Sequence, residues 1–406
     1  MKIELMRKVD YFAGIPLCFL VTPWVRFASL LAGKESAPPN NVLFLELSEM
    51  GSAILADPAM RKMRRAANAE LHFLIFKSNA ASLRLLGTVP ESNVFTIRGD
   101  NFINLTLDSV RFLIWARRRG IDTVIDLELF SRYSALLTGL SGAVRRIGFH
   151  AFNNEGLYRG SMLTHRVAYN PHLHIAKNFI ALVNAVLAGK AELPFSKTVI
   201  DDSEISLARA RVEPGAIEMM RGRIRNAYPE YDESRHRIVL INPHAGDLLP
   251  QRRWMPERFV AVMRGLLGDD ERLLILITGS LQEREEAARL QRQVGDGRCV
   301  NFAGCHALDE LPALYQVAEL MLTNDSGPGH FSAVTDLRTF VLFGPETPLL
   351  YGSLGNSTPI YAGLACSPCV SAANHRKTPC TDNVCLQVIT AEAVLRQLRE
   401  ALAESK

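Results

Sequence analysis

The sequence lacks several features that would commit it to one class. It has almost no charge imbalance: 46 Lys and Arg against 42 Asp and Glu leave +4 over 406 residues. That excess is too small for the basic stripe that nucleic-acid binding needs, so no nucleic-acid partner is expected. No acidic pair resembles a DxD metal-holding motif. Asp126 and Glu128 come nearest, at the end of an apolar run, so chemistry without a metal is expected. There is also no uninterrupted apolar run of the ~20 residues that a spanning helix needs. The uncharged stretch Tyr11–Val25 (YFAGIPLCFLVTPWV) is shorter and contains Pro16 and Pro23, which disfavour a continuous helix. No convincing small-x-small cleavage site follows it.

What is present is an ordinary globular composition, 48% hydrophobic and 22% charged, long enough for two or three domains. Lys2, Arg7 and Lys8 precede the apolar stretch, and Trp24 and Arg26 close it. This order reads as a monotopic anchor lying in the cytoplasmic leaflet, with the cations and Trp24 at the headgroups. The other readings are a helix packed on the protein body and, third, a span extended by Phe27–Leu31. The expected location is the cytoplasm, peripheral or monotopic at the inner membrane. The basic clusters Arg61–Arg65 and Arg117–Arg119 read as solvated helix faces; the alternative is a surface meeting an acidic membrane.

Beyond Ala37–Asn41, a linker, short apolar runs alternate with amphipathic segments. Val42–Leu47, His72–Phe76, Val94–Ile97 and Thr123–Leu127 read as buried strands, and Arg237–Asn242, Leu273–Thr278, Leu320–Asn324 and Thr339–Phe343 as a second set. Strand and helix in alternation imply an α/β protein with parallel sheets covered on both faces. The expected organisation is an N-terminal apolar segment (1–36), a first Rossmann-like domain (37–200) and a charged helical connection (201–235). A second Rossmann-like domain (236–364) and a Cys-rich segment with a terminal helix (365–406) follow. Two such doubly wound domains would face a cleft, with ligands at the carboxyl ends of the strands.

The loops after those strands hold the chemistry. Asn324–His330, NDSGPGH, follows a strand and precedes a helical run. Gly327, Pro328 and Gly329 allow a close backbone approach, and amides at a helix start suit a diphosphate. Ser326 adds a hydroxyl, Asp325 suits sugar hydroxyls, and His330 suits a phosphate or Asp325. A capped turn explains Ser and Pro equally well, but not the crowding of Asp, two glycines and His. Asn242–Trp254, NPHAGDLLPQRRW, carries His244, Asp247, Arg252 and Arg253. Arg253 is the candidate to stabilise a departing diphosphate; Arg252 reads as an exposed basic turn. In Thr278–Glu283, TGSLQE, Gly279 opens the loop and Glu283 is placed to hold ribose hydroxyls, with helix capping as the alternative. In the first half, Glu46–Asp57, ELSEMGSAILAD, puts Glu49 and Ser52 three apart, on one face of a helical turn.

These residues together resemble glycosyltransferase family 9, the ADP-heptose:lipopolysaccharide heptosyltransferases. The resemblance rests on VLFLELSEMGSAILADPAM, RRIGF at Arg145–Phe149, NPHAG…RRW…ERF, TGS…E, NDSGPGHFSA and FGPETP at Phe343–Pro348, and covers roughly Asn41 to Leu402. It implies a GT-B fold, with the nucleotide-sugar donor (ADP-heptose or another NDP-sugar) in the second half and a lipid-linked glycan acceptor in the first. It also implies inversion at the anomeric carbon, no catalytic cofactor, and a terminal helix (Ala391–Ala403) that often crosses back. One position departs. The family places an Asp, taken as the general base, where this chain has Ser52, and a hydroxyl alone cannot serve as a base. Glu49, one turn earlier, is the candidate replacement and Asp57 the second choice. The competing reading is a transferase-like protein that has lost its base and binds a nucleotide sugar or a membrane partner; an epimerase activity has no motif of its own.

Four of the 7 cysteines cluster: Cys366, Cys369, Cys380 and Cys385, with His375 among them. In a reducing cytosol this spacing favours a structural zinc on four thiolates over free or disulfide-bonded thiols; an iron–sulfur cluster has no evident task. Cys18, Cys299 and Cys305 read as packing residues.

Overall fold

A computed structural model describes residues 3–31, 38–153, 157–246 and 249–404. The chain divides into two compact units, Met1–Ser206 and Leu207–Lys406. The first unit runs α1 (Ile3–Phe12), α2 (Gly14–Leu31), β1 (Asn41–Leu45), α3 (Met50–Leu55), α4 (Asp57–Ala67), β2 (Glu70–Phe76), α5 (Ala81–Arg84), β3 (Val94–Ile97), α6 (Phe102–Arg118), β4 (Thr123–Asp126), α7 (Arg132–Leu140), β5 (Arg145–Phe149), β6 (His165–Val167) and α8 (Ile175–Leu187). The second runs α9 (Ala216–Ala227), β7 (Arg237–Asn242), α10 (Pro256–Asp269), β8 (Leu273–Ile277), α11 (Arg284–Val294), β9 (Cys299–Asn301), α12 (Leu311–Val317), β10 (Leu320–Asn324), α13 (Gly327–Ser332), β11 (Arg338–Phe343), α14 (Pro348–Tyr351), β12 (Ser357–Tyr361), α15 (Val384–Gln387) and α16 (Ala391–Glu404).

Each unit is built on a six-stranded sheet with every recorded pairing parallel, ordered β3-β2-β1-β4-β5-β6 and β12-β11-β10-β7-β8-β9. Central strands such as Val42–Leu45 and Val239–Ile241 are fully buried, because helices cover both faces of a parallel sheet. In each sheet the strand order reverses once, between β1 and β4 in the first and between β7 and β10 in the second. The crevice at such a reversal, at the strands' carboxyl ends, is where open α/β sheets take ligands.

Three sequence expectations change. Pro16 and Pro23 do not break the N-terminal segment: α2 is continuous over 18 residues. Pro16 lies in the first turn, where no helical N–H is needed, and the carbonyl that Pro23 leaves without a donor belongs to Phe19, on the exposed side. The stretch 201–235 carries a 3-10 turn at Asp202–Ile205 and α9 rather than one long helix, and Arg223 of α9 pairs with Glu310 at 2.6 Å. The terminal helix α16 packs into the second unit's own core, where Val394, Leu398 and Leu402 join residues of β7, β8 and α10. Gly265 makes this approach possible: a Cβ there would lie 2.4 Å from the Leu395 side chain.

Candidate functional site

In the second unit, the two most specific loops lie side by side at the reversal point. β10 delivers Asn324 and Asp325, and β7 delivers Asn242 and His244. The loops are stitched together: Asn324 donates to the Pro243 carbonyl at 2.7 Å and accepts from the Trp254 amide at 3.1 Å. The Ser326 hydroxyl donates to the His244 carbonyl at 3.4 Å. Trp254, fully buried against Phe259, anchors the loop by donating from Nε1 to the Ile389 carbonyl at 3.0 Å. Ser326, Gly327 and Pro328 remain partly open at the start of α13, while Gly329 and His330 are buried.

Beneath this turn is a buried ionic cluster. Asp325 and Glu346 interact electrostatically, and Arg252 ion-pairs with both, its Nε 3.4 Å from Asp325 Oδ2. Arg376, stacked over the Tyr351 ring at 4.9 Å, also reaches Glu346 at 3.4 Å. Burial raises both carboxyls. Glu346 is pushed up to about 8, with the Asp325 charge adding to burial and Arg252 opposing it. At neutral pH the pair therefore holds a proton between its two carboxyls. Arg252 is not an exposed basic turn: its side chain is 15% exposed and is the counter-ion of this pair. Asp325 is spent on Arg252 and Glu346 rather than turned to solvent.

Next to the pair of loops, His244, Gly279 and Glu283 adjoin. A Cβ on Gly279 would lie 2.9 Å from the His244 ring and 3.1 Å from Glu283 Oε2. His244 Nδ1 faces Glu286 at 3.4 Å, while its buried Nε2 has no hydrogen-bond partner among the described residues. Burial holds the imidazole below its usual range against the pull of Glu283 and Glu286, so it is neutral at pH 7. Glu283 caps its own turn, accepting from the Ser280 amide at 2.7 Å and the Ser280 hydroxyl at 2.8 Å. Arg253, half-buried, donates to the Gly246 carbonyl at 3.0 Å. Asp247 lies outside the described residues.

In the first unit, the β1–α3 loop sits at the corresponding reversal. Ser52, buried at the start of α3, donates from Oγ to Glu49 Oε2 at 3.1 Å, so the three-residue spacing does bring the two together. The loop is held from β4. Glu128 Oε1 accepts from the Leu47 amide (2.9 Å), the Ser48 amide (3.0 Å) and the Ser48 hydroxyl (2.9 Å). Asp126 accepts from the Ser134 hydroxyl at 3.0 Å and pairs with Arg159. These two carboxylates, the nearest approach to a DxD motif, are thus internal braces. Asp57 is fully buried and bound to Arg61 at 2.8 Å and to Thr88; it is neither surface nor open to a substrate. Sequence reasoning missed the roles of Arg252, Glu346 and Glu128. For Glu346, the quoted FGPETP block was the available signal.

The cysteine cluster is corrected. Among the described residues, no three His, Cys, Asp or Glu side chains are placed to share a metal ion, so Cys366, Cys369, Cys380 and Cys385 do not form the expected zinc site. Thr378 donates to the Cys369 sulfur at 3.3 Å, and the Cys380 thiol donates to Asp382 at 3.4 Å. Cys385 is buried in the core while Cys366 is exposed. The segment is closed by amide hydrogen bonds instead, Asn374 to the Cys369 carbonyl and Asn383 to the Arg253 carbonyl.

A family profile described as glycosyltransferase family 9 (heptosyltransferase) matches residues 115–378. Lipooligosaccharide heptosyltransferase 2 of Campylobacter jejuni serotype O:6 is 30% identical over 169 residues, covering 40% of this chain and 51% of that protein. The chain spans about half the length, or less, of the curated relatives it matches. The Escherichia coli ADP-heptose lipopolysaccharide heptosyltransferase II structure matches with a TM-score of 0.67 at 18% identity, over 90% of this chain and 99% of that one. A family 9 transferase from Veillonella parvula matches with 0.70 at 17% identity, over 92% and 100%. At these identities the likeness shows the fold, which is GT-B.

Proposed function

The chain belongs to glycosyltransferase family 9, and on that footing we propose that it transfers a heptose or related sugar from a nucleotide diphosphate to a lipopolysaccharide or other cell-envelope glycan. The observation that carries this reading is the pairing of the NPHAG and NDSGPGH loops at the second sheet's reversal point. In it, the Ser326 and Gly327 amides and the Ser326 hydroxyl take the diphosphate of the donor, ADP-heptose or another NDP-sugar, while Pro328 and Gly329, whose amide donates to the Ser326 carbonyl at 3.2 Å, shape the turn. His244, Gly279 and Glu283 border the nucleoside, and the buried His330 backs the donor loop; Asp247, outside the described residues, is a donor-binding candidate from the sequence alone. Arg253 offsets the charge that builds on the leaving diphosphate. The buried Arg252–Asp325–Glu346 cluster keeps both loops in register.

In the first unit, Glu49 takes the proton from the acceptor hydroxyl, with Ser52 orienting its carboxylate. The acceptor oxygen bonds to the anomeric carbon as the bond to the diphosphate oxygen breaks, inverting that centre. No metal is assigned a part. Work on a lipid-linked acceptor places the protein at the inner face of the cytoplasmic membrane. Its α2 would lie flat there rather than cross, because it touches the protein body from its first turn to its last.

Thermal shift with ADP-, GDP- and UDP-sugars, followed by a transfer assay with the stabilising donor, tests the reading. Stabilisation by none of them refutes the donor site. Glu49→Gln should abolish transfer and leave the nucleotide shift unchanged. Ser52 favours a second reading, a nucleotide-sugar binder without catalysis: it predicts a full thermal shift and neither transfer nor donor hydrolysis in the unaltered protein.

A further inference from the structure

We propose that α6 carries a second lipid-binding surface which, together with α2, seats the first unit on an anionic bilayer. The proposal rests on the membrane reading above and extends it to an element far from the N-terminus.

α6 is apolar on two opposite sides. Phe112 and Ala116 face the sheet, in one core cluster with Leu137 of α7. Half a turn away, Ile103, Leu107, Val110 and Ile114 form an i, i+4, i+7, i+11 stripe, each 47–72% exposed. An ordinary surface helix is polar there.

α2 belongs to the same side of the sheet. Its inner stripe binds α7 and its neighbours along the whole helix. Gly14 abuts Arg132, where a Cβ would lie 2.7 Å from the Arg132 side chain. Cys18 and Val25 pack with Ala135 and Met162. The Ser161 amide donates to the Thr22 hydroxyl at 3.2 Å, and Arg146 donates to the Ser29 hydroxyl at 2.8 Å. Asp10 fastens α1 by accepting from the Arg132 and Tyr133 amides at 3.0 and 2.8 Å. A helix held along its length cannot leave to cross a bilayer. Its outer side shows Phe19, Leu20, Trp24 and Phe27, each at least 60% exposed. Tyr133 of α7 meets Ser109 of α6 at 2.6 Å, so α2 and α6 both pack on α7, each with an exposed apolar side.

Fifteen of the 26 exposed large hydrophobics among the described residues lie on α1, α2 and α6. A surface this apolar marks an interaction site. Charge chooses the occupant. The three helices hold six cations (Arg7, Lys8, Arg26, Arg111, Arg117 and Arg118) against Glu4, Asp10 and Asp108. Asp10 caps α7, and Asp108 is buried between Arg98 at 2.8 Å and Arg111 at 3.2 Å, which sets Arg111 against Asp108 and leaves Arg7, Lys8, Arg26, Arg117 and Arg118 as the remaining cations. Apolar stripes rimmed by cations fit anionic phospholipid.

The test is flotation of the full-length protein with vesicles of phosphatidylethanolamine and phosphatidylglycerol, or of phosphatidylcholine alone. The unaltered protein should float with the anionic vesicles at least tenfold more than with the neutral ones; equal partition overturns the charge argument. An α6 variant (Ile103→Ser, Leu107→Ser, Val110→Ser, Ile114→Ser) should lose at least tenfold of that binding at an unchanged melting temperature. An α2 variant (Phe19→Ser, Leu20→Ser, Phe27→Ser) should lose as much. If only the α2 variant loses binding, the α6 proposal fails and the membrane reading stands; if the unaltered protein floats with neither vesicle, both fail. Ile103→Glu with Ile114→Glu repeats the test with two changes. Light scattering that shows a dimer turned monomer by the α6 changes gives the stripe to a second copy and overturns the proposal.

Discussion

The buried acid pair of the second unit makes stability fall as pH rises through neutrality. Glu346 is 2% exposed and sits at about 8 when folded, against an ordinary 4.5. Between those values the folded chain keeps a proton that the unfolded chain has lost. Stability therefore declines with rising pH in that window, by up to ~1.4 kcal/mol per unit. From pH 6 to pH 8 the loss sums to about 2 kcal/mol, or roughly 4–8 °C in the melting temperature of a unit this size. Glu346→Gln keeps the shape and a donor without the titrating proton, so its curve should lack this component. The buried His244 and the half-buried His306 are held below their usual range by desolvation. They act with the opposite sign, losing stability as pH falls below about 6.5, and they are common to both proteins, so the difference between variant and parent isolates the acid pair. The assay is thermal unfolding of both proteins at half-unit steps from pH 6 to 8. Parallel curves would refute the assignment of the proton to this pair.

Arg159→Met should cost about 3–5 kcal/mol in urea unfolding, because it strands the fully buried Asp126. Adding Asp126→Leu should recover much of that loss; no recovery would show that Arg159 acts through its carbonyl contacts alone. Glu128→Ala removes the acceptor of two loop amides and the Ser48 hydroxyl. It should lower kcat for transfer at least tenfold while the nucleotide-induced thermal shift stays unchanged. A variant with normal kcat would show that the β1–α3 loop needs no brace.

Much of the architecture was legible because parallel strands buried on both faces must be apolar throughout. Val42–Leu47, Leu273–Thr278 and Thr339–Phe343 mark such strands in one dimension, and all three overlap observed strands. β6, β9 and β12 escaped notice: each lies at or next to a sheet edge and spans three to five residues, so no long apolar run announces it. β5 was seen as a motif, RRIGF, and not as a strand, since two leading arginines look exposed. Both are buried, and Arg146 donates to the Met162 and Ala143 carbonyls.

The sequence by itself determined the strand order in time, the polar loops that follow the central strands and the local pairing of Glu49 with Ser52. Each depends on spacing along a few residues, and pattern records spacing. Only the tertiary structure decided which charges meet. Arg252 and Glu346 are 94 residues apart, as Glu128 and the loop it braces are about 80 apart, and an ion pair leaves no periodic trace in either partner. The same holds for α6. Its outer stripe is as apolar as its inner one, and burial against the sheet alone tells which of the two is left facing outward.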